Sequence, residues 1–424
     1  MSGELLTGAE RAGTARPRTW LSGLARRGVL RTLARLREGE VRLVEDGETR
    51  VFGGDGADPD MRVRVEILDP SCFSDIALGG TIGVAEAYMA GKFRCDDLTA
   101  LVRIFVRNES VMDDMESGGA RLMRPLLKFG HFLNRNTRTG SRRNIAAHYD
   151  LGNEFFELFL DRRMMYSSAV YPRAEACLEE AAEHKLALIC DKLALGPDDH
   201  LLEIGTGWGG LAVFAAQRTG CRVTTTTISR EQYAAACARV AEVGLEDRVE
   251  VLLSDYRDLS GQYDKLVSVE MFEAVGHRFF DTFFDQCTQL LKPAGEMLLQ
   301  TITIADQRYQ DAKRQVDFIQ RYIFPGGCLP SVTAIAESVT RASDMRIVAL
   351  DDIGPHYART LRDWRERFYR RLDEVRAQGF PEPFIRMWEW YLCYCEGGFS
   401  ERTISNAQIT LVRPENRRAL PVGP

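Results

Sequence analysis

The stretch that decides the fold is Leu201–Gly210, LLEIGTGWGG, in which a short apolar run enters a turn rich in glycine. The turn satisfies the spacing GxGxxG and, at the same time, the spacing ExGxGxG. The residues that carry the two patterns are Glu203, Gly205, Gly207, Gly209 and Gly210. Glycine lets a backbone approach a ligand without a side-chain clash. The stretch therefore predicts a strand, a ligand-binding turn and the start of a helix.

Strands and helices alternate from about residue 145 onward, which is the order that a parallel sheet requires. The predicted strands are HLLEI, CRVTTTTI, VEVLLSD, KLVSVEM, EMLLQTITI, MRIVALDDIG and AQITLVRP. The predicted helices include GGLAVFAAQRT, which Gly220 ends, REQYAAACARVAEV, RFFDTFFDQCTQLL and a long helix near 358–378. Residues 305–340 form an insertion. The predicted fold class is α/β, a Rossmann-like sheet with a helical lid insertion.

The length of the chain allows two domains. We predict a disordered leader over residues 1–19, a small mixed α/β domain over 20–112, a basic linker over 113–144 and the main domain over 145–415. Within the small domain, GVLRTLARLREGEVRLV indicates a helix that runs into a strand, and MRVRVEIL alternates like a half-buried strand. GGTIGVAEAYMAGKFRCDD indicates a helix followed by a turn.

The composition argues against several classes of protein. Hydrophobic residues make up 45% of the chain and charged residues 27%, as in ordinary globular proteins, and no apolar run is long enough to cross a bilayer. The ten cysteines include no C-x-x-C pair, and the six histidines include no H-x-x-x-H pair. We therefore predict no metal site, and the scattered thiols favour a reducing cytoplasm.

The net charge of −6 conceals two basic segments. Residues 11–37 contain eight arginines and no acid, and residues 121–143 contain seven basic residues and no acid. Such segments can dock on anionic lipid or on nucleic acid. A solvated helix face is the alternative explanation for either segment, so charge alone leaves the partner open.

The residues after the glycine turn distinguish two cofactors that such turns bind, a nicotinamide dinucleotide and S-adenosylmethionine (SAM). A nicotinamide site normally needs an acid about twenty residues on, but the chain has Thr224–Thr227 there. Asp255, at the end of the next strand, suits the adenine amino group of SAM, although an acid there also caps a turn. Ser229 and Gln232 fit a helix capping box, which is compatible with ligand contact. The sequence therefore favours SAM and a methyltransferase sheet.

The residues after the fourth strand of this sheet bear on the methyl acceptor. Enzymes that methylate base or amide nitrogen often carry D/N-P-P-Y/F at this place. Here the sequence is VEMFEAVGH, with Glu270 and Glu273 and no proline. Methylation of nucleic-acid nitrogen is therefore disfavoured, and we predict no nucleic-acid partner.

Segments spread in order over residues 145–410 resemble the cyclopropane fatty acid synthase family, which includes mycolic acid cyclopropane synthases and fatty-acyl C-methyltransferases. They are AAHYDLGNEFFELFLDRRMMYSSAVYP, LLEIGTGWGG, TTISREQY, VSVEMFEAVGH, MLLQTITI, YIFPGGCLPS, DIGPHYARTLRDWRERF and CEGGF. An ordered set of this length is far more specific than one glycine turn. The N-terminal domain matches a small extra domain of the phospholipid-modifying members by position more than by motif.

The resemblance implies an enzyme that adds the methyl carbon of SAM to the double bond of an unsaturated phospholipid acyl chain and closes a cyclopropane ring. It implies SAM contacts by Tyr166, Ser167, Glu203, Gly205, Gly207, Thr227, Ile228, Ser229, Gln232, Asp255 and Tyr256. It implies a catalytic set of Glu273, Tyr357, Gln300, Ser168, Ile302, Tyr149, Tyr166 and Phe324. In this set Glu273 and Tyr357 bind a bicarbonate ion. Tyr149, Tyr166 and Phe324 line the reactive centre, although core packing also explains Tyr149 and Phe324.

The chemistry of the family explains why these residue types are needed. An alkene is a poor nucleophile, so the sulfonium methyl group must be held close to the double bond. Attack leaves a carbocation, which aromatic faces stabilise while water is excluded. A base must then remove a proton so that the ring closes, and family members hold the bicarbonate ion for this step.

Two residues depart from the family pattern. Ser168 stands in YSS where cysteine is common, but the ion is held there largely by backbone, so serine can serve. Gln300 stands in LLQTI where many members have histidine, and a glutamine amide donates a hydrogen bond but cannot act as a titrating base. If the base is shifted, the cation loses a different proton. The product is then a methylene- or methyl-branched acyl chain, and this alternative stays open.

The acyl chain lies in a bilayer, so the enzyme implied by the resemblance must work at a membrane surface. We predict a cytoplasmic, peripheral protein whose N-terminal domain and basic segments dock on anionic lipid, each basic residue contributing about 1 kcal/mol. The resemblance also suggests a homodimer. Two rival functions remain: a non-catalytic lipid-binding protein that retains the fold, and a methyltransferase that acts on a soluble small molecule or RNA.

Overall fold

The computed structural model describes residues 20–54, 58–109 and 151–419. The predicted leader (1–19), the predicted linker (113–144) and Tyr149 lie outside the described residues. The second basic segment, residues 121–143, lies outside them as well. The functions predicted for these segments therefore stay predictions.

The N-terminal part is a four-stranded sheet with three helices. In chain order it contains α1 (Trp20–Leu33), β1 (Glu40–Glu45), β2 (Glu48–Gly53), β3 (Arg62–Ile67), α2 (Cys72–Met89), β4 (Phe93–Cys95) and α3 (Leu98–Arg107). The strand order is β2-β1-β3-β4, with β1 and β3 parallel and the other two pairs antiparallel. Neither β2 nor β4 was predicted from the sequence. Because β2 is almost wholly exposed and β4 has three residues, neither strand shows a clear alternation of apolar residues.

The second part, residues 151–419, is built on a seven-stranded sheet. Its strands are β5 (His200–Ile204), β6 (Arg222–Thr227), β7 (Val249–Leu253), β8 (Tyr263–Val269), β9 (Leu291–Ile304), β10 (Arg346–Asp352) and β11 (Ile404–Val412). Its helices are α4 (Asn153–Phe156), α5 (Leu178–Lys192), α6 (Gly210–Thr219), α7 (Arg230–Glu242), α8 (Phe280–Leu290), α9 (Asp306–Ala312), α10 (Val332–Ala342), α11 (Gly354–Arg370), α12 (Leu372–Ala377) and α13 (Glu382–Ser400). Short 3-10 turns lie at Pro59–Met61, Tyr256–Asp258, Phe272–Ala274 and His277–Phe279, and a π-helical turn lies at Ile319–Ile323.

The large sheet has the strand order β10-β11-β9-β8-β5-β6-β7. All seven predicted strands are present, and the α/β fold class is confirmed. One feature was not predicted: β11 runs antiparallel to both of its neighbours. After β7 the chain returns to the other side of β5 to form β8, so the order of the strands reverses there. Ligands of open α/β sheets bind outside the carboxyl ends of the strands at such a reversal.

Local turn chemistry explains where the helices near this edge begin and end. Gly220 follows α6 with φ 74°, the left-handed conformation in which glycine ends a helix. Ser229 precedes α7 and accepts a hydrogen bond from its first turn. The predicted insertion, 305–340, contains α9, the π-helical turn and most of α10. It follows β9 at the edge where ligands are expected.

Apolar side chains cover both faces of the large sheet. On one face, α5 and α6 pack on β5, β6 and β8, as in the cluster of Leu186, Leu211, Leu201 and Val267. On the other face, α8 and α10 pack on the sheet through residues such as Phe283, Phe284 and Ile335. A sheet covered on both faces explains why the central strands β5 and β8 are buried along most of their length rather than at alternate residues.

The N-terminal part shares a core with the C-terminal helices. Between α3 and α13, a Cβ added at Gly397 would lie 2.7 Å from Cγ1 of Val102, so the two helices touch closely. The Thr99 hydroxyl donates to Glu396 (3.3 Å), and the Tyr88 hydroxyl donates to Glu389 (2.6 Å). The predicted small domain is therefore packed against the helix that ends just before β11.

Within 20–54, 58–109 and 151–419, no helix combines the length and the apolar character that crossing a bilayer demands. The same ranges contain no group of three or more His, Cys, Asp or Glu side chains arranged to hold a metal ion.

Candidate active site

The glycine turn after β5 has the backbone conformation that its glycines predict. Gly205, Gly207 and Gly209 have φ angles of 102°, 52° and 80°, in the region that disfavours other residues. A Cβ at Gly207 would meet no atom of the described residues within 4 Å, whereas a Cβ at Gly210 would lie 2.5 Å from the carbonyl oxygen of Arg163. Gly207 therefore borders open space, as a ligand-facing residue should, and Gly210 is required by packing.

The residues after β6 form a hydrogen-bonded turn at the same edge. The Thr227 hydroxyl donates to Oε1 of Gln232 (2.8 Å), and Oγ of Ser229 accepts from the Gln232 N–H (3.3 Å). Ser229 thus caps α7 as predicted, but the Gln232 side chain bonds Thr227 instead of completing the capping box. Ile228 is half-buried between them.

Asp255 and Tyr256 follow β7 at this edge. Oδ1 of Asp255 accepts from the Arg257 N–H (3.0 Å), and its two oxygens accept from the Arg257 guanidinium at 2.8 and 2.6 Å. The buried acid therefore caps the turn, which is the alternative that the sequence left open. Tyr256 packs edge-on against Phe283, with ring centroids 5.4 Å apart. Both predicted residues thus lie at the carboxyl end of β7.

Two buried ionisable side chains lie near the glycine turn. Glu203 accepts a hydrogen bond from the Thr225 hydroxyl (2.6 Å), and burial raises the pKa of Glu203 to about 8. Lys185, on α5, donates to the Ser167 hydroxyl (2.7 Å), and burial lowers the pKa of Lys185 to about 8. Glu203 is therefore bonded to the neighbouring strand, and Lys185 fixes the hydroxyl of Ser167.

Aromatic side chains from distant segments surround Tyr166. Its ring stacks on Trp364 at a centroid distance of 5.3 Å and lies 6.5 Å from the ring of Phe324. Its hydroxyl is 2.9 Å from the hydroxyl of Tyr391. We call Tyr166, Phe324, Trp364 and Tyr391 the aromatic cluster. The structure thus brings together Tyr166 and Phe324, which the resemblance assigned to the reactive centre.

The carboxylate of Glu270 lies among the predicted catalytic residues. Its Oε1 accepts hydrogen bonds from the Ser168 N–H (2.9 Å), from Nε2 of Gln300 (2.8 Å) and from Nδ2 of Asn406 (2.5 Å). Its Oε2 accepts from the Tyr357 hydroxyl (2.7 Å). All four of these partners donate, so both oxygens of Glu270 act as hydrogen-bond acceptors.

Glu270 also has a backbone conformation that is unusual for glutamate. Its φ is 50°, in the left-handed region that costs a residue other than glycine roughly 1–2 kcal/mol. Its N–H donates to the carbonyl oxygen of Gln300 (2.8 Å), which fixes the residue between β8 and β9. Residues held in such conformations cluster at functional sites. The strain therefore supports a role for Glu270 in the site.

Glu273 supplies a second carboxyl group. Its Oε1 accepts from the Thr301 hydroxyl (2.9 Å) and from the Ile302 N–H, whereas its buried Oε2 has no hydrogen-bond partner among the described residues. Burial and the nearby charge of Glu270 raise the pKa of Glu273 to about 8. At neutral pH the Glu273 carboxyl therefore holds a proton, and Oε2 is the oxygen free to carry it.

Tyr357 projects from α11 and is 5% exposed. Burial, together with the charge of Glu270, raises the pKa of the Tyr357 hydroxyl well above its ordinary value. The hydroxyl therefore stays protonated and serves as a donor to Glu270. Its ring lies edge-on to Trp364, with centroids 6.0 Å apart, so Tyr357 joins the Glu270 carboxylate to the aromatic cluster.

The predicted bicarbonate ion does not fit this arrangement. Tyr357, which the resemblance assigned to the ion, donates to Glu270 instead, as do the Ser168 backbone and the Gln300 amide. The Ile302 N–H donates to Glu273. The donors expected to hold an added anion are thus bonded to carboxylates of the protein.

The sequence analysis missed several residues of the site. It quoted Glu270 only as part of VEMFEAVGH, and it did not single out Asn406, Trp364 or Tyr391. A signal was available for Trp364, because it lies seven residues after Tyr357 and therefore on the same face of α11. Asn406 has no local signal, since only the pairing of β11 with β9 brings it opposite Ile302.

The chain is similar to known proteins over most of its length. Residues 136–409 match the family described as Mycolic acid cyclopropane synthetase. The tuberculostearic acid methyltransferase UfaA1 of Mycobacterium tuberculosis is 41% identical over 342 residues, which cover 79% of each chain. The cyclopropane-fatty-acyl-phospholipid synthase of Escherichia coli is 38% identical over 361 residues, which cover 82% of this chain and 87% of that protein.

A solved structure leads to the same family. The crystal structure of the mycolic acid cyclopropane synthase CmaA1, complexed with SAH and CTAB, matches with a TM-score of 0.60 and 31% identity. The match covers 64% of this chain and 98% of that one. The resemblance inferred from the sequence motifs is confirmed. The chain belongs to the mycolic acid cyclopropane synthetase family of SAM-dependent methyltransferases.

Proposed function

We propose that the protein transfers the methyl carbon of SAM to the double bond of an unsaturated phospholipid acyl chain. One observation carries the proposal: the aromatic cluster is joined to the Glu270 carboxylate through Tyr357. An alkene acceptor needs aromatic faces for the cation and a base for the proton. A methyltransferase for an oxygen or nitrogen nucleophile needs no such cation site. The names of both relatives, which concern acyl lipids, support this reading.

SAM would bind along the carboxyl ends of β5, β6 and β7. Gly205 and Gly207 expose backbone there, and the open space at Gly207 leaves room for a ligand. The turns after β6 and β7 supply further polar groups, which are those of Thr227, Ser229, Gln232 and Asp255. SAM supplies a sulfonium methyl group when it is bound. The protein supplies the orientation that a weak alkene nucleophile requires.

The aromatic cluster is suited to hold the alkene and to protect the cation. The hydroxyls of Tyr166 and Tyr391 bond to each other, so the two rings are held fixed. Phe324 comes from the insertion between β9 and β10 and lies 6.4 Å from Tyr391. The insertion therefore contributes an apolar wall, which excludes water from a cation that water would otherwise trap.

Two products can arise from one cation. Loss of a proton from the transferred methyl group with ring closure gives the cyclopropane chain that the resemblance implies. The second candidate is a methylene- or methyl-branched chain. A specific observation favours it, because Gln300 is a buried amide bonded to Glu270 and Gln408 and cannot titrate. The M. tuberculosis relative is named a tuberculostearic acid methyltransferase, and the E. coli relative a cyclopropane-fatty-acyl-phospholipid synthase.

Vesicles of unsaturated phospholipid, incubated with SAM and the protein, test the proposal. We expect acyl chains heavier by one methylene unit in mass spectrometry, and no change in vesicles of saturated phospholipid. Because the cyclopropane and methylene products have the same mass, proton NMR of the purified chains must distinguish ring protons from vinylidene protons. Methylation of a soluble acceptor without lipid, or SAM binding without any acyl product, contradicts the proposal.

We further propose that the protein is peripheral to the cytoplasmic face of a membrane and works as a homodimer. On α1, Arg27 and Arg31 are exposed, whereas Arg26 is paired with Glu45. Leu24 on α1 is 49% exposed and Leu78 on the adjacent α2 is 56% exposed. A pair of helices that presents arginines and leucines suits an anionic lipid surface.

Cosedimentation with vesicles tests the docking. We expect binding to anionic vesicles that weakens with salt and little binding to neutral vesicles. Binding that is insensitive to salt contradicts the electrostatic part of the proposal. Light scattering in solution tests the dimer, and a particle mass near 47.8 kDa, the mass of one chain, contradicts it.

A further inference from the structure

We propose that Glu270 takes the place of the bicarbonate ion and accepts the proton after methyl transfer. The inference rests on the proposed function, because the proton concerned is the one that the carbocation loses. It goes beyond that function by assigning the acceptor to a side chain of this protein and by making the reaction independent of an added anion.

The hydrogen bonds of Glu270 define one anion position. The Ser168 N–H, the Gln300 amide and the Asn406 amide converge on Oε1, and the Tyr357 hydroxyl donates to Oε2. Ser168, Gln300 and Asn406 are fully buried. Donors fixed in a buried site stabilise negative charge strongly, because they do not have to reorganise. A carboxylate already covalently attached therefore occupies the position in which an anion is stabilised.

Glu273 is the less suitable acceptor of the two carboxyl groups. Its Oε1 already accepts from Thr301 and Ile302, and its Oε2 carries the proton that burial retains at neutral pH. A group that is already protonated cannot take another proton. Gln300 has no titrating atom. Of these side chains, Glu270 is therefore the one that can accept the proton lost by the carbocation.

The position of Glu270 also gives a route to the substrate. Glu270 is half-buried, so part of the residue remains accessible. Tyr357, which is bonded to its Oε2, has its ring 6.0 Å from that of Trp364, and Trp364 stacks on Tyr166. A cation held against the aromatic cluster therefore lies close to the carboxylate. Attraction between these opposite charges also stabilises the cation before the proton moves.

The step balances without an oxidant or a reductant. The π pair of the alkene forms the new C–C bond while the S–CH₃ bond breaks and its electron pair stays on sulfur. The neighbouring carbon becomes the cation. Glu270 then takes a proton from the transferred methyl group, and the released C–H pair forms the third side of a cyclopropane ring. If a hydride first shifts from the methylated carbon to its neighbour, the cation moves to the methylated carbon, and the same C–H pair forms the C=CH₂ double bond of a methylene branch instead.

The first experiment measures acyl methylation in buffer freed of carbon dioxide and bicarbonate. We expect the wild-type rate to change less than about twofold when bicarbonate is added back. We expect Glu270→Gln to lose at least about 100-fold in rate, within the range that general bases contribute. A wild-type enzyme that needs added bicarbonate, or a Glu270→Gln enzyme as fast as wild type, overturns the inference.

The second experiment uses Glu270→Gly, which empties the anion position and also suits the φ of 50°. We expect this variant to be slow without bicarbonate and to recover at least about tenfold when bicarbonate is added, because the donors of Ser168, Gln300 and Tyr357 are then free. Glu270→Gln is the matched control, since its amide still fills the position and prevents rescue. A folded, SAM-binding Glu270→Gly enzyme that bicarbonate does not stimulate contradicts the assignment.

Calorimetry of SAM binding shows that each variant is folded, which separates loss of chemistry from loss of structure. Failure of the inference is distinguishable from failure of the proposed function. A wild-type enzyme that makes methylated chains only with bicarbonate refutes the role of Glu270 and leaves the function intact. A wild-type enzyme that methylates no acyl chain with or without bicarbonate refutes the function itself, and the role of Glu270 with it.

Discussion

The SAM edge and the carboxylate centre of this protein are built in different ways. We use SAM edge for the turns after β5, β6 and β7, and carboxylate centre for Glu270, Glu273 and the donors bonded to them. At the SAM edge, side chains bond to near neighbours, as Thr227 does to Gln232 and Asp255 to Arg257. In the carboxylate centre, Glu270 bonds to residues 30, 87, 102 and 136 positions away.

The difference separates a site that follows from local turns from a site that depends on tertiary contacts. Short turns at the ends of parallel strands form wherever the sheet forms, so a generic methyl-donor site comes with the architecture. The carboxylate centre exists only where β8, β9, α11 and β11 meet. The part that decides the chemistry is thus the part that depends on the whole tertiary structure.

Substitution of Tyr357 by Phe should have the largest effect, because it should slow turnover at the carboxylate centre without changing SAM binding at the SAM edge. The change removes a hydrogen bond to a charged group, worth about 1.5–3 kcal/mol, so we expect kcat to fall about 10- to 100-fold. The dissociation constant of SAM should stay unchanged. Steady-state kinetics and calorimetry measure the two quantities.

Tyr88→Phe is the control for this substitution. Tyr88 also donates to a glutamate, Glu389 at 2.6 Å, but it lies in the N-terminal part, and we expect its loss to leave kcat unchanged. If Tyr357→Phe weakens SAM binding as much as it slows turnover, the two regions are coupled and the comparison fails.

Two glycines of the turn after β5 allow a test within the SAM edge, because one is required by packing and the other borders the expected SAM site. Gly210→Ala would place a Cβ 2.5 Å from the Arg163 carbonyl oxygen, and we expect it to lower the free energy of unfolding by about 1–3 kcal/mol. Gly207→Ala meets no described atom within 4 Å, so its packing cost is small, although the φ of 52° adds roughly 1–2 kcal/mol of backbone strain, and its methyl group narrows the place where SAM would bind. We expect its SAM dissociation constant to rise about tenfold, equivalent to about 1.4 kcal/mol. Urea denaturation and calorimetry measure these effects, and the opposite assignment contradicts the placement of SAM.

Stability should depend on pH through two buried carboxyl groups. Glu203 lies in β5, just before the SAM edge, and Glu273 lies in the carboxylate centre. Burial raises the pKa of each from 4.5 in the unfolded chain to about 8. The stability that they contribute is therefore present below about pH 4.5 and is lost as the pH rises toward 8. The neighbouring Lys185, whose pKa is lowered to about 8, acts with the opposite sign above that pH, and the Tyr357 hydroxyl stays protonated.

Replacing either carboxyl by an amide should flatten this decline by about 1 kcal/mol or more between pH 5 and 8. Urea denaturation of Glu203→Gln and Glu273→Gln at both pH values measures the effect. The charge of Glu270 acts on Glu273, so Glu273→Gln should also alter turnover. Parallel stability curves for wild type and both variants would show that these carboxyls ionise in the folded protein as they do in the unfolded one.

The same contrast explains how far the sequence alone could go. The seven strands, Gly205, Gly207 and the Ser229 cap could be predicted, because apolar runs, glycine spacing and capping residues act locally. The role of Glu270 could not, because it depends on Asn406 from an antiparallel strand whose direction was not predicted. Gln300 shows most clearly what the sequence could not predict. Its amide was expected to bond a bound ion, but it bonds Glu270, a residue of the segment VEMFEAVGH.

The close contact between α3 and α13 restricts how this chain could exchange its N-terminal part with a relative by recombination. Gly397 leaves no room for a side chain against Val102, and the same helix carries Tyr391 to the hydroxyl of Tyr166. A crossover that imports a foreign α3 with a bulkier residue at that contact would push α13 outward and carry a cluster tyrosine with it. We therefore expect the first and last segments of the chain to be inherited as a matched pair.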